Sequence, residues 1–582
     1  MISHFSIYKV KIRSTEFTTE EGIKFSNTAY ISFFDDNKKV INYVELGYRD
    51  NEEIYKLIDE NQEINLNNCY IENFSLTSYR KSRNLEKNQY IKLHGFIAVN
   101  SFFDTSYDID FSYADFCGEN VLFNDSLFAN GKITFNSAKF DNSKVDFSHV
   151  VFRNGNVDFS NSVFGEGELS FKNAIFSTGN KDFQYADFGK GKVVFINTDF
   201  GDGDVSFINT NFNDGDVSFK VAIFGKGIKD FRFSKFGNGE ISFERTNWGN
   251  GNVDFGKVEF GCGKINFYRS DFGDGEVNFE GSEYANGKIN FKKANFGTGK
   301  KDFELLEFAD SEIIFDNADF GSGIVSFYNS KFHKLSLKGC HLDNYFDLRI
   351  SHCSYLDISD TVVRDIVDLK SHDFKVDIKL INLTAMRLLG RIYVDWDKNN
   401  IKSTIDYQTK TTKRNKAEQF RILKQNFNST GQYNDEDKAY VEFKRNEAKA
   451  DLYDALDKNK KNKYWAYPQF WFQKLVFDKV GLYATDPLRV LLSSIFVIFG
   501  FALTYVLIEL LGLGKTQSSV GNPDQISMAF QSLYHSSITF FTIGYGDVYP
   551  MGLSRLFSGI EGFMGVFSMS YFTVAFVRKI LR

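Results

Sequence analysis

Between residues 111 and 332 an aromatic side chain recurs at alternating intervals of five and seven, as at Phe183, Phe188, Phe195, Phe200, Phe207, Phe212, Phe219 and Phe224. Only Trp248 and Tyr284 replace Phe in that run. The unit of twelve residues occurs about nineteen times and accounts for much of the unusual total of 65 Phe. A fixed internal period of this kind limits the fold to stacked repeats. A β-branched, aliphatic or small residue often stands two positions before the aromatic, as Val205 before Phe207 and Thr210 before Phe212. Positions i−2 and i of one extended segment face the same way. The Gly-x-Gly pairs fall in the longer interval, where a corner needs backbone freedom. Short extended segments with paired inward side chains, joined by glycine corners, describe a β-solenoid.

A twelve-residue coil is too narrow to hold two Phe rings, whereas a four-sided coil of 5+7+5+7 residues has room. The Lys-Asp-Phe triplets end at Phe183, Phe231 and Phe303, separations of 48 and 72 that are both multiples of 24. The spacing therefore predicts 24 residues per coil and about nine regular coils, roughly 45 Å of stack at ~4.8 Å each. At the edges the period relaxes to five: Ile64/Leu66, Ile71 and Phe74/Leu76 at one end, then Phe332, Leu337, Leu342 and Cys353, Ile358, Val363 at the other. In this the chain resembles the pentapeptide-repeat family. That resemblance implies a right-handed quadrilateral β-helix with one five-residue segment on each face. The central run departs from it by two inserted residues in every second segment. The Gly-Asp corners invite comparison with calcium-binding β-rolls, but corners such as Gly189-Lys190-Gly191-Lys192 put lysine where a ligand is needed. No metal or other cofactor is expected.

The net charge of −6 gives no global basic field, so no nucleic-acid partner is expected. Five scattered Cys without CxxC spacing fit a reducing compartment. The first thirty residues lack the apolar core of a signal peptide. From about Lys413 the pattern turns helical: Ala417, Phe420, Leu423 and Phe427 share a face, and Gly431 marks a stop. Asn434 is then expected to cap a second helix, with Asp435, Glu436 and Asp437 in its first turn favoured by the helix dipole. This pair either caps the solenoid or mediates subunit contacts. Residues 458–463 hold four lysines, and 464–483 is rich in Trp, Tyr and Phe, a composition suited to the lipid headgroup layer. The expected organisation is a capping region at 1–63, the solenoid at 64–395, a helical hairpin at 396–463, an interfacial helix at 464–487 and a membrane domain at 488–582.

Two stretches long enough to cross a bilayer, 488–511 and 556–577, flank a weaker apolar segment at 526–541. Lys474, Lys479 and Arg489 precede the first, while Arg578, Lys579 and Arg582 follow the second. Both chain ends are therefore expected in the cytoplasm, with the intervening loop outside. The weaker segment leads into Thr542-Ile543-Gly544-Tyr545-Gly546-Asp547. Two spans around a short helix and T-I-G-Y-G-D resemble the pore module of potassium channels, which carry T-V-G-Y-G-D. The likeness covers about the last hundred residues. It implies that the carbonyls of Thr542, Ile543, Gly544 and Tyr545, with the Thr542 hydroxyl, replace the hydration shell of K+. It implies further that Gly546 completes the filter and Asp547 stands behind its outer mouth, with 527–539 as the pore helix. One chain supplies one loop, so a homotetramer in membrane lipid is expected.

Gly565 matches the hinge glycine of two-span channels, with Gly559 and Gly562 as competitors. Glu561 is an ionisable residue at membrane depth, a functional candidate by default. Three placements stay open for it: behind the filter, facing the water-filled cavity, or paired near the outer boundary. The resulting expectation is a passive K+ channel of a bacterial plasma membrane, regulated by whatever cytoplasmic ligand or protein the solenoid meets. No catalytic triad, metal cluster or phosphate loop suggests an enzyme. Two other readings stay open: a membrane-anchored scaffold with a non-selective or vestigial pore, and a DNA-mimic binding protein.

Overall fold

A computed structural model of the chain describes residues 5–104, 108–458, 463–521 and 526–581. Lys460 and Lys461 of the lysine run, and Arg582, lie outside the described residues. The chain forms two compact units, Met1–Tyr407 and Gln408–Arg582.

The first unit is the solenoid. On one face, thirteen short strands stack from Ile109–Asp110 to Arg391–Tyr393. Their register gives the coil length directly: Val157 pairs with Lys181, Lys181 with Val205, Val205 with Lys229 and Lys229 with Val253, each 24 residues on. The aromatics fill the interior as four columns. In one, Phe159, Phe183, Phe207 and Phe231 stack face to face, with centroids 4.8–5.2 Å apart. Residues twelve apart meet edge to face across the coil, as Phe183 and Phe195 do at 82°. Both geometries suit the ring quadrupole. Trp248 occupies a Phe position between Phe224 and Phe272.

The small inward residues have a second use. Thr198, Thr210, Ser234 and Thr246 are fully buried. Each donates its hydroxyl to the carbonyl of the Phe 27 residues earlier, as Thr210 does to Phe183 at 2.8 Å. These bonds satisfy the buried hydroxyls and tie one coil to the previous one. The corner glycines do more than provide backbone freedom. A Cβ on Gly191 would lie 1.8 Å from the Gly167 carbonyl oxygen, and one on Gly215 would lie 2.1 Å from that of Gly191. At these two positions successive corners stack too closely for a side chain.

The ends differ from the middle. Strands Ile7–Arg13, Asn27–Phe34 and Val40–Tyr48 form an antiparallel sheet that continues one solenoid face. Helices α1 (Asn51–Asp59) and α2 (Leu76–Ser82) pack near this end. At the other, α3 (Ile401–Asp406) buries Ile401 and Ile405, so the unit continues past residue 395 to Tyr407.

Lys181, Lys229 and Lys301, the lysines of the Lys-Asp-Phe triplets, take inward positions where neighbouring coils have valine, and all three are buried. Their amines reach backbone carbonyls, Lys181 Nζ that of Asp202 at 2.8 Å and Lys229 Nζ that of Asn250 at 3.3 Å. Burial pushes each down to about 8. Above pH 8 the folded chain releases protons that the unfolded chain holds until about pH 10.4. Solenoid stability therefore rises with pH across that window, and below pH 8 the full cost of the buried charges is present. Lys229→Val is expected to stabilise the solenoid by ~1–4 kcal/mol at pH 7 and to shrink the gain between pH 8 and 10. Guanidinium unfolding of the full chain in detergent, followed by the β-sheet dichroism, measures both.

The second unit is helical. Helix α4 (Lys413–Ser429) is capped by Thr412 and ends before Gly431, which has φ +73°. It pairs with α5 (Tyr433–Lys458). Helix α5 starts one residue before Asn434, which lies inside its first turn and does not cap it. Helix α6 (Lys463–Phe472) buries none of its residues and exposes Tyr464, Trp465, Trp471 and Phe472, so it is no core helix of this unit. A π-helical turn, Gln473–Lys479, follows. Helices α7 (Pro487–Leu510) and α9 (Ser554–Ile580) are long and apolar enough to cross a membrane. Helix α7 buries one stripe, Val490, Ser494, Ile498, Ala502, Tyr505 and Ile508, and exposes Leu and Phe around the rest. A helix apolar all round with a single inward stripe suits a lipid surrounding. Between the two lies α8 (Met528–Phe540), capped by the Ser527 hydroxyl.

Candidate functional site

The site begins at the C-terminal end of α8, the negative end of its dipole. Beyond Phe540 the backbone alternates: φ is +54° at Thr542, +59° at Gly544 and +77° at Gly546, while Ile543 and Tyr545 keep negative values. A backbone whose φ alternates in sign can turn successive peptide groups the same way, amides to one side and carbonyls to the other. Glycine takes two of the three left-handed positions, 544 and 546, without a Cβ penalty. The start of this segment is pinned by Thr542 N–H to the Thr539 carbonyl at 3.1 Å and by Ile543 N–H to that of Ile538 at 2.9 Å. Its side chains are uncovered: Ile543 is 50% and Tyr545 71% exposed.

Asp547 closes the segment. Its carboxylate accepts from the Tyr534 hydroxyl of α8 at 2.8 Å and from the Val548 amide at 3.0 Å. Strands Gly514–Ser518 and Val548–Gly552 then pair antiparallel, bracing the loops on either side of α8. Sequence reasoning put Asp547 behind the segment but missed Tyr534. The spacing of 13 between an aromatic hydroxyl on α8 and the terminal Asp was the available signal.

Glu561 of α9 is fully buried. Its Oε2 accepts from Tyr505 of α7 at 2.6 Å, and its Oε1 accepts from the hydroxyl of Ser536 on α8. Ser558 meets the Tyr505 hydroxyl at 3.1 Å and His535 Nε2 at 2.9 Å. Of the three placements open to Glu561, this burial removes the water-filled cavity. Gly565 lies in a continuous helix, and a Cβ there would stand 1.9 Å from the Phe540 carbonyl oxygen. Gly559 and Gly562 meet nothing within 4 Å. The distinguishing property of Gly565 is thus close approach to the end of α8.

The other end of α9 is clamped. Arg578 reaches Asp437 of α5 at 3.2 Å and stacks 4.2 Å from the centre of the Tyr440 ring, while Lys579 reaches Asp437 at 3.1 Å. Arg445 of α5 grips Asp478 of the π-helical turn with two nitrogens, at 2.8 and 3.0 Å. The Tyr571 hydroxyl of α9 donates to the Phe477 carbonyl and accepts from the Ala484 amide.

Residues 493–582 match the family described as ion channel. Protein LctB of Geobacillus stearothermophilus is 34% identical over 73 residues, which is 12% of this chain and 53% of that protein. Protein LctB of Bacillus caldotenax is 31% identical over 71 residues, again 12% and 53%. The chain thus spans about half the length of the curated relatives it matches. No solved structure matches it. The C-terminal domain is accordingly an ion-channel domain with two membrane-capable helices, preceded by a pentapeptide-repeat solenoid.

Proposed function

We propose that four copies of this chain surround one axis and form a potassium-selective pore, with residues 542–547 as its filter. The observation that carries this reading is the alternation of φ from Thr542 to Gly546 on a segment whose Ile543 and Tyr545 side chains are half or more exposed. Four such segments around a closed rotational axis cover Ile543 and Tyr545 and stack rings of carbonyl oxygens. The rings of Thr542, Ile543, Gly544 and Tyr545 replace the water lost by K+, and the C-terminal ends of four α8 helices favour the cation. Tyr534 and Asp547 brace the filter from behind. The ion moves down its gradient, so no reaction is catalysed and no cofactor is needed beyond the permeant ion. The basic residues at the ends of α7 and α9 orient both termini toward the cytoplasm of a bacterial cell. Native mass spectrometry of the detergent-solubilised protein tests the stoichiometry: a tetramer is expected, and a monomer or dimer as the largest species contradicts the reading.

The regulatory part of the proposal is that the solenoid, on meeting a cytoplasmic ligand or protein, acts on the pore through α5. Helix α5 holds both the end of α9 and the turn ahead of α7. Opening the cytoplasmic mouth requires the end of α9 to move, so the Asp437 clamp favours the closed pore. Asp437→Arg is expected to raise open probability by about 5–150-fold, the range of a 1–3 kcal/mol coupling. The swap with Arg578→Asp is expected to restore much of it. Single-channel recording of both singles and the double closes the cycle. Independent effects in the double mutant contradict the clamp.

A further inference from the structure

Glu561 and Gly565 sit one turn apart on the same face of α9, and their partners Ser536 and Phe540 sit one turn apart on α8. The two contacts therefore form a pair in register: a hydrogen bond at one level and a backbone approach that only glycine allows at the next. Phe540 precedes Thr542 by two residues, so whatever fixes this end of α8 fixes where the filter begins. The second oxygen of Glu561 binds Tyr505, which makes this one side chain the junction of α7, α8 and α9.

A carboxyl group withdrawn from water is costly unless its oxygens are matched. Both are matched here: the Ser536 bond selects one axial position and one rotation of α9 against α8, and the Tyr505 bond ties α9 to α7. An apolar side chain would pack at several. Buried polar groups have a documented use in fixing register of this kind. We propose that Glu561 is a positioning residue for ion selection. Through Ser536, and with Gly565 as its steric counterpart, it holds the pore helix so that the filter carbonyls keep the spacing that suits K+. This deepens the potassium-channel reading and rests on it.

The test uses the full chain reconstituted in planar bilayers, with the K+/Na+ permeability ratio and the conductance in symmetrical K+ recorded for each variant. Glu561→Leu is expected to lower the ratio at least tenfold in channels that still conduct. Ser536→Ala, which removes the link from Glu561 to the pore helix together with the contact of the same hydroxyl to the Ile498 carbonyl of α7 at 2.8 Å, is expected to lower it several-fold. Tyr505→Phe, which removes the α7 hydroxyl that meets Glu561 and Ser558 but leaves the Ser536 link in place, should leave it within twofold of wild type. Glu561→Gln retains an acceptor and should recover most of the ratio. A merely structural role would reduce the number of assembled channels and leave the ratio of the survivors unchanged. If Glu561→Leu does not assemble, Ser536→Ala carries the test. Wild-type selectivity in both Glu561→Leu and Ser536→Ala would overturn this proposal alone. A wild type that does not discriminate K+ from Na+ would overturn the channel-selectivity reading and this proposal with it.

Discussion

Gly544→Ala is expected to abolish most discrimination between potassium and sodium. Gly544 holds φ +59° in the middle of the alternating segment. An L-residue in the left-handed region costs ~1–2 kcal/mol, and the proposed tetramer incurs that cost four times around one ring. A tenfold change in selectivity needs only about 1.4 kcal/mol. The strain is relieved when the peptide rotates, which turns one ring of carbonyls off the axis and removes ligands from the dehydrated ion. Reversal potentials under opposing K+ and Na+ gradients measure the effect, and a fall of the permeability ratio by a factor of ten or more is expected. Gly512→Ala is a matched control. Gly512 also has a positive φ, +68°, with nothing near its Cβ, but it lies in the loop ahead of the β-ribbon. It should share the local strain and leave selectivity unchanged.

The second large effect is in the solenoid. Phe207 is fully buried, stacked on Phe183 and Phe231 and in edge contact with Phe195 and Phe219. Phe207→Ala is expected to cost ~3–5 kcal/mol, whereas Phe207→Leu should cost considerably less because most of the volume is retained. Each coil is stabilised only by its neighbours. The alanine variant should therefore unfold in two steps, the coils around residue 207 first. Guanidinium unfolding of the full chain reads the loss, and equal costs for Ala and Leu would contradict the stacked-column interior.

The solenoid was largely legible because its period is strict. The Lys-Asp-Phe triplets pointed to 24 residues per coil because their separations are multiples of 24, and Lys181, Lys229 and Lys301 do share one sheet. The glycines of the corners were located correctly, but their reason was not visible. The clash that excludes a side chain at Gly191 comes from Gly167, one whole coil away. The N-terminal strands were missed as an extension of the solenoid because antiparallel pairing there follows no repeat.

In the channel domain, local features were readable and pairings were not. The left-handed glycines follow from neighbouring residues, whereas Ser527, read as the first residue of the helix, caps it from outside. The partners of Glu561 lie 56 and 25 residues away, on helices whose facing sides depend on packing. Asp435, Glu436 and Asp437 read in sequence as a helix N-terminus complementing its dipole. Asp437 also meets Arg578, 141 residues later. A charge run at a helix start does not reveal whether it serves its own helix or another.

The most direct measurement is the reversal potential of the purified wild-type protein in a planar bilayer with potassium on one side and sodium on the other. A reversal far toward the potassium equilibrium potential is the predicted result. Reversal near zero, with both ions carrying current equally, would contradict the claim that residues 542–547 of four chains select potassium.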